Sequence, residues 1–451
     1  MMAPELKRKK LTVTKIIFLS FIGVILFGTI LLSTPFVTVS GRPTAVIDAL
    51  FTATTSVCVT GLTTLDTGTH WNLLGQSVIL LLIQIGGLGL MTFVSILSYM
   101  VSNKISLQQR RFLSEAANTG NAVSIKSILR YIIGGTAFFE LLGAGLLAIT
   151  FIPEFGVGMG IYKSIFTSIS AFCNAGIDVF VSEAGPFSSV ICYADRPMVL
   201  LPIAFLIIIG GLGFFVWQDI VRARKWSKMQ LHTKAVLLTS GILILIGFLS
   251  VLLFESGNPE TLGAKTIGNR LSLAFFQSVT PRTAGFTAVN LADMKETSLL
   301  VTLVLMLIGG APGSTAGGIK VSTAAILVML FVSTVRGRQD VNLLKRRVEP
   351  NLCQKAVSVF FLHLTAAMVA SLFLMAFDGV SLLEALFEVI SALSTVGLSL
   401  GITPDLSAMS SLLLIFLMYF GRIGMITFTM TFFKNESGKG SIRYPEGKIF
   451  I

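Results

Sequence analysis

A cation crossing a bilayer exchanges its hydration shell for other oxygen ligands, and rings of backbone carbonyls can supply them. This chain carries one glycine-centred motif suited to that task four times, at intervals of about a quarter of its length. Gly61 follows Val59 and Thr60, Gly176 follows Asn174 and Ala175, Gly285 follows Thr283 and Ala284, and Gly397 follows Thr395 and Val396. Carbonyls turn inward only where the backbone takes unusual dihedrals, which glycine adopts without steric penalty. Each glycine precedes a bulky apolar residue (Leu62, Ile177, Phe286, Leu398), and ten residues before each stands a phenylalanine, Phe51, Phe166, Phe275 or Phe387. Four copies in one register imply a ring of four around an axis, with Val59 to Gly61, Asn174 to Gly176, Thr283 to Gly285 and Thr395 to Gly397 as an ion selectivity filter.

Other residues bear on the same path. Asp178 is the only acidic residue within two positions of a motif glycine; at the outer mouth it either concentrates cations or serves as a hydrogen-bonded structural carboxylate. Arg422 stands within the apolar run 412–433, where an arginine costs at least about 3 kcal/mol unless it faces water or partners. It reads either as a fixed cationic barrier in the pore or as a structural arginine bonded to helix-end carbonyls. The segment Gly309 to Lys320 holds five glycines and a proline, so it breaks its helix. Gly313, Ser314, Thr315, Ala316, Gly317 and Gly318 then form a polar loop under the filter, a movable gate or a kink required for packing. Nucleotide binding there is disfavoured, because Gly318 is followed by Ile319 and Lys320 rather than by the Lys and Ser or Thr of a phosphate loop. The four cysteines have no metal-ligand spacing. Cys58 and Cys173, each three before its glycine, read as packing residues behind the pore, and His70, His232 and His363 stand isolated.

The elements that must position these residues are membrane helices. With 53% hydrophobic and only 12% charged residues, the chain falls in the polytopic membrane class. Apolar stretches at 14–33, 72–101, 127–152, 198–221, 235–254, 298–333, 356–377 and 408–433 predict eight spans of about 30 Å of hydrocarbon. Segments of about a dozen residues before each glycine are too short to cross, and must re-enter inside protein or beside water. The predicted fold is all-α, with four pseudo-repeats of outer helix, re-entrant half-helix with filter loop, and inner helix. The boundaries are 14–101, 125–223, 232–336 and 352–434 for the four quarters, with loops at 102–124, 224–231 and 337–351. A terminus at 1–13 and a tail at 435–451 complete the chain. Each inner helix carries a glycine cluster, at Gly86, Gly210, Gly309 and Gly421, read as letting helices crowd at the axis.

The net charge of +12 does not require nucleic acid. Lys and Arg cluster in alternate loops, as at Arg110, Arg111, Arg222, Arg224, Arg336 and Arg338, while Asp66, Glu154, Glu183, Asp195, Glu260 and Asp293 fall in the opposite ones. This asymmetry places both termini in the cytoplasm and the chain in the cell membrane. No His-Glu-x-x-His pattern or Gly-x-Ser-x-Gly elbow supports an enzyme. A pore driven by the membrane potential and an alternating-access sodium/potassium cotransporter both remain open on the residues alone.

At the four glycines, the Gly313 to Gly318 loop, Arg422 and the tail Arg443 to Lys448, the sequence resembles potassium transporters of the Trk/Ktr/HKT superfamily, most closely the membrane subunits of bacterial Ktr systems. The resemblance implies potassium uptake through a four-fold pseudosymmetric pore, with K+ held by backbone carbonyls, no covalent cofactor and Na+ dependence open. It implies a homodimer and a cytosolic regulatory ring of the KtrA/KtrC type, with nucleotide on that partner rather than on this chain. It also implies that loop 313–318 gates and that Arg422 is an internal barrier. Relatives that prefer sodium place serine at the first filter glycine; Gly61 here favours potassium.

Overall fold

Four helices stop halfway because each runs into a residue that leaves the helical region. The computed structural model describes residues 13–89, 125–181 and 185–424. In it, a longer apolar helix is followed four times by a shorter one: Val13–Leu32 by Val46–Cys58, Ile125–Phe155 by Val157–Phe172, Leu231–Glu255 by Ile267–Val279, and Pro350–Asp378 by Leu382–Ser394. The shorter helices have 13 or 16 residues, about 20–24 Å at 1.5 Å per residue, less than the hydrocarbon they would have to cross. The fourth is started by a capping box in which the Ser381 hydroxyl accepts from Glu384 N–H and the Glu384 carboxylate accepts from Ser381 N–H at 2.9 Å. Phe51, Phe166 and Phe387 are fully buried behind these helices. Phe275 is only half-buried, since Phe276 takes the buried place where the third half-helix ends early, at Val279.

Three inner helices depart from the expected continuous spans, while the third breaks where expected, between Leu307 and a second helix Val321–Val335. The four run Leu73–Gly87, Pro197–Leu212, Glu296–Leu307 and Ala408–Ile423. The expected span 198–221 is two helices, Pro197–Leu212 and Phe214–Ala223, bent by 89°. Gly213 makes the bend with φ +87°, and Gly89, Gly313 and Gly424 have φ +78°, +71° and +91°. The last glycine of each cluster therefore turns the chain into the left-handed region; packing was only half of the cluster's meaning. By length and hydropathy, three described helices suffice to cross a membrane (Tyr131–Phe155, Leu231–Glu255 and Pro350–Asp378), or four with the bent pair. The expected continuations past 89 and 424, the loop 102–124, Glu183, the 1–12 terminus and the tail at 435–451 lie outside the described residues. The expected loop at 337–351 contains a small antiparallel hairpin, Asn342–Leu343 against Arg346–Arg347, tied by an Arg347–Asp340 ion pair of 2.9 Å.

Candidate functional site

The residue two before each motif glycine is left-handed: Val59 at φ 56°, Asn174 at 60°, Thr283 at 63° and Thr395 at 53°. The glycines follow at 102°, 67°, 79° and 89°, while Thr60, Ala175, Ala284 and Val396 between them keep negative φ. This alternation lets successive carbonyls of an extended segment face one side, whereas in a strand they alternate. Left-handed Val and Thr each cost on the order of 1–3 kcal/mol, held only where surrounding structure over-determines them.

That structure is the end of the half-helix. Thr60 N–H donates to Thr55 O at 2.9 Å, Ala175 to Ser170 O at 2.8 Å and Val396 to Ser391 O at 2.8 Å, the six-to-one bond of a Schellman end with Asn, Val or Thr in glycine's usual place. In the third quarter Ala284 N–H donates to Thr280 O at 3.0 Å. Hydroxyls add a second stitch. The hydroxyls of Thr55 and Ser391 accept from Gly61 N–H at 2.9 Å and Gly397 N–H at 3.0 Å. Those of Ser170 and Thr280 donate to Ile177 O at 2.6 Å and Phe286 O at 2.5 Å. Sequence reasoning missed these four residues, although a hydroxyl five or six positions before each glycine was there to be counted.

The four motifs meet. A Cβ added to Gly61 would lie 2.6 Å from Ala175 O, one on Gly176 2.5 Å from Ala284 O, and one on Gly285 2.8 Å from Val396 O; one on Gly397 would strike Thr60 O. First touches second, second third, third fourth and fourth first, so the contacts close into a cycle. Each half-helix points its carboxyl end, the negative end of its dipole, at this ring.

Residues after the glycines open into a vestibule of about 270 Å³ lined from all four quarters, among them Asp66, Asp178, Asn290 and Ser399. Asp178 satisfies both of its readings at once: its carboxylate accepts from Phe180 N–H at 3.1 Å and lines this cavity. Burial pushes its carboxyl up to about 7. Asp66 is structural, capping the turn Thr67–His70 through Thr69 N–H at 2.9 Å and accepting from Phe187 N–H at 2.9 Å.

On the other side of the ring lies the loop between Leu307 and Val321. Thr315 Oγ1 is 3.0 Å from Asn174 Oδ1 and 3.2 Å from Phe172 O, and Gly317 packs on the Thr395 hydroxyl. The bend at Gly213 receives the loop, with Phe214 N–H donating to Gly313 O at 3.1 Å. Arg422 donates to Thr315 O, to Gly86 O and, at 3.4 Å, to Gly87 O. It thus bonds helix-end carbonyls, as its structural reading expects, and one of its acceptors is the loop itself. Lys320 Nζ donates back to Ala316 O at 2.7 Å. Glu388, fully buried behind the fourth motif, accepts from Ser399 at 2.8 Å and from Thr403; its signal was an acid inside an apolar half-helix.

Apolar helices surrounding a ring of carbonyl-bearing turns, open to a polar vestibule on one side and closed by a loop on the other, define a helical, membrane-embedded transporter. The chain belongs to the TrkH family, described as cation transport proteins, whose match spans residues 12–442. It is 38% identical to the potassium/sodium uptake protein NtpJ of Enterococcus hirae, over 98% of both chains. It is 36% identical to the Ktr system potassium uptake protein B of Bacillus subtilis, over 99% of this chain and 98% of that one. The solved potassium transporter TrkH of Vibrio parahaemolyticus has the same fold, with a TM-score of 0.72 at 19% identity, covering 96% of this chain and 87% of that one.

Proposed function

We propose that this chain is the ion-translocating subunit of a potassium-uptake system of the Ktr type, with the four-motif ring as its selectivity filter. The closed cycle of glycine and carbonyl contacts carries the reading: four oxygens, those of Thr60, Ala175, Ala284 and Val396, one per quarter, each lie against the motif glycine of the neighbouring quarter, and such a ring would be a backbone substitute for a hydration shell. Four convergent half-helix ends attract the cation without a fixed anion in the ring. The relatives named as potassium uptake proteins set the substrate. Uptake runs down the membrane potential, worth about 2.3 kcal/mol per charge per 100 mV.

In this reading the chain has eight spans in four pseudo-repeats, both termini in the cytoplasm and the Asp178 vestibule outside. Loop 313–318 is the gate, and Arg422 is both its latch and a cationic barrier beneath the filter. The chain pairs as a homodimer on a cytosolic nucleotide-binding ring. Sodium enters through NtpJ, whose name couples both ions, and marks cotransport as the second reading.

The test is cation flux in liposomes holding the purified chain, comparing potassium, rubidium and sodium, with Gly285→Ser beside the wild type. Potassium and rubidium flux above sodium, with selectivity eroded in the variant, is expected. Equal flux for all cations, or a variant that behaves as wild type, overturns the filter. Potassium flux that requires a fixed ratio of sodium identifies the cotransporter instead.

A further inference from the structure

Three positions before the motif glycines stand Cys58, Cys173, Arg282 and Ser394. Three of these are small, and the fourth places a guanidinium, 8% exposed, beside the ring. Among the described residues Arg282 has no carboxylate partner, and burying a charge without one costs several kcal/mol. Its bonds go instead to three places. Nη2 donates to the Ser240 hydroxyl at 3.1 Å and to Gly309 O at 3.4 Å, Nη1 donates to Ser240 O at 3.5 Å, and its own carbonyl accepts from Asn174 Nδ2 at 3.5 Å.

Gly309 explains why a charge is needed here. In the other quarters the equivalent glycine lies directly on a half-helix carbonyl: Gly86 on Val57 O, Gly210 on Phe172 O, Gly421 on Leu393 O. The third half-helix ends at Val279, short of Pro281, and Gly309 packs on Gly317 O within its own loop. The backbone ties of this stem run to the second inner helix, Ala311 N–H donating to Gly211 O at 2.9 Å, and among the described residues none runs to the third motif. The long, forked donor of Arg282 spans that gap and reaches the outer helix Leu231–Glu255 at Ser240 as well.

We propose that Arg282 is a positioning residue that anchors the first stem of loop 308–320 to the third filter strand and so holds the loop closed across the pore. The proposal rests on the gated-pore reading, and a wild type without potassium flux would fail that reading first. The experiment measures resting potassium flux in liposomes for Arg282→Met, Arg282→Lys and Ser240→Ala, each with the loop intact and with 313–318 deleted. With the loop intact, Arg282→Met raises flux roughly tenfold, the population shift expected when a charge-assisted bond is lost. Ser240→Ala moves it less in the same direction, and Arg282→Lys, a point donor without the fork, falls between. In the deleted background none of them raises flux further. An equal change in both backgrounds, or none in either, overturns the proposal and leaves Arg282 a packing residue of the filter. If Arg282→Met does not assemble, the Ser240→Ala pair decides on the same criterion.

Discussion

The first, second and fourth quarters end their inner helices against their own half-helices, whereas the third ends in a loop stacked on itself. Gly86, Gly210 and Gly421 each occupy the same place, on the carbonyl four residues before the motif glycine. Those contacts are backbone on backbone and leave no room to move. Gly309 instead meets the backbone of its own loop and the Thr283 side chain, and side chains supply the ties to the third and second motifs and to the last helix: Arg282 to Gly309 O, Thr315 to Asn174 and Arg422 to Thr315 O. A ring that discriminates between ions needs rigid walls, and a loop that opens needs contacts that can be exchanged. In the proposed gated-pore reading the two demands fall on different quarters, the gate on the one that diverges.

The comparison breaks most visibly if the loop is removed. Deleting 313–318 is expected to raise flux by roughly an order of magnitude or more, with Arg422→Ala moving in the same direction because the loop loses its latch. A deletion protein that stays tightly closed, or an Arg422→Ala protein with unchanged flux, would mean that the third quarter seals no differently from the rest.

Paired glycine substitutions sharpen the contrast. Gly421→Ala drives a methyl into Leu393 O, and Gly309→Ala into Gly317 O. The first should lower thermal stability by an overpacking cost of about 1–3 kcal/mol and erode potassium selectivity. The second should keep selectivity and raise resting flux, since what yields is the loop. Melting temperature and ion selectivity measured on both proteins decide; identical phenotypes would erase the distinction between the quarters.

The smallest effect belongs to the vestibule, where all four quarters contribute alike and Asp178 alone carries the second motif's acid. Burial raises this carboxyl to about 7, so it is neutral below that pH and charged above it. Flux at low external potassium should therefore rise by up to a few-fold as external pH increases through 7. Asp178→Asn should flatten the profile near its acid limit. A pH profile that the substitution leaves intact assigns Asp178 to its bond with Phe180 N–H alone.

The spacing of residues was enough to locate the ring. A backbone turned inward requires glycine, a half-helix requires a short apolar segment, and both requirements are local, so Gly61, Gly176, Gly285 and Gly397 and the segments before them were legible directly. Hydropathy separated membrane from water for the same reason. The glycine clusters were legible only in part: two glycines side by side announce close packing, but nothing local distinguished Gly211, which stays within its helix, from Gly213, which bends the chain by 89°. Arg422 illustrates what was out of reach. Its cost inside an apolar helix was plain from the sequence, yet its acceptors lie 107 residues away at Thr315 and 336 away at Gly86. Arg282 likewise reads as one more basic residue until Ser240, 42 positions earlier, and Gly309, 27 later, come within reach of its guanidinium. Dihedral demands and burial are written residue by residue along the chain. Which carbonyl satisfies a buried charge is decided only when segments distant in sequence close around it.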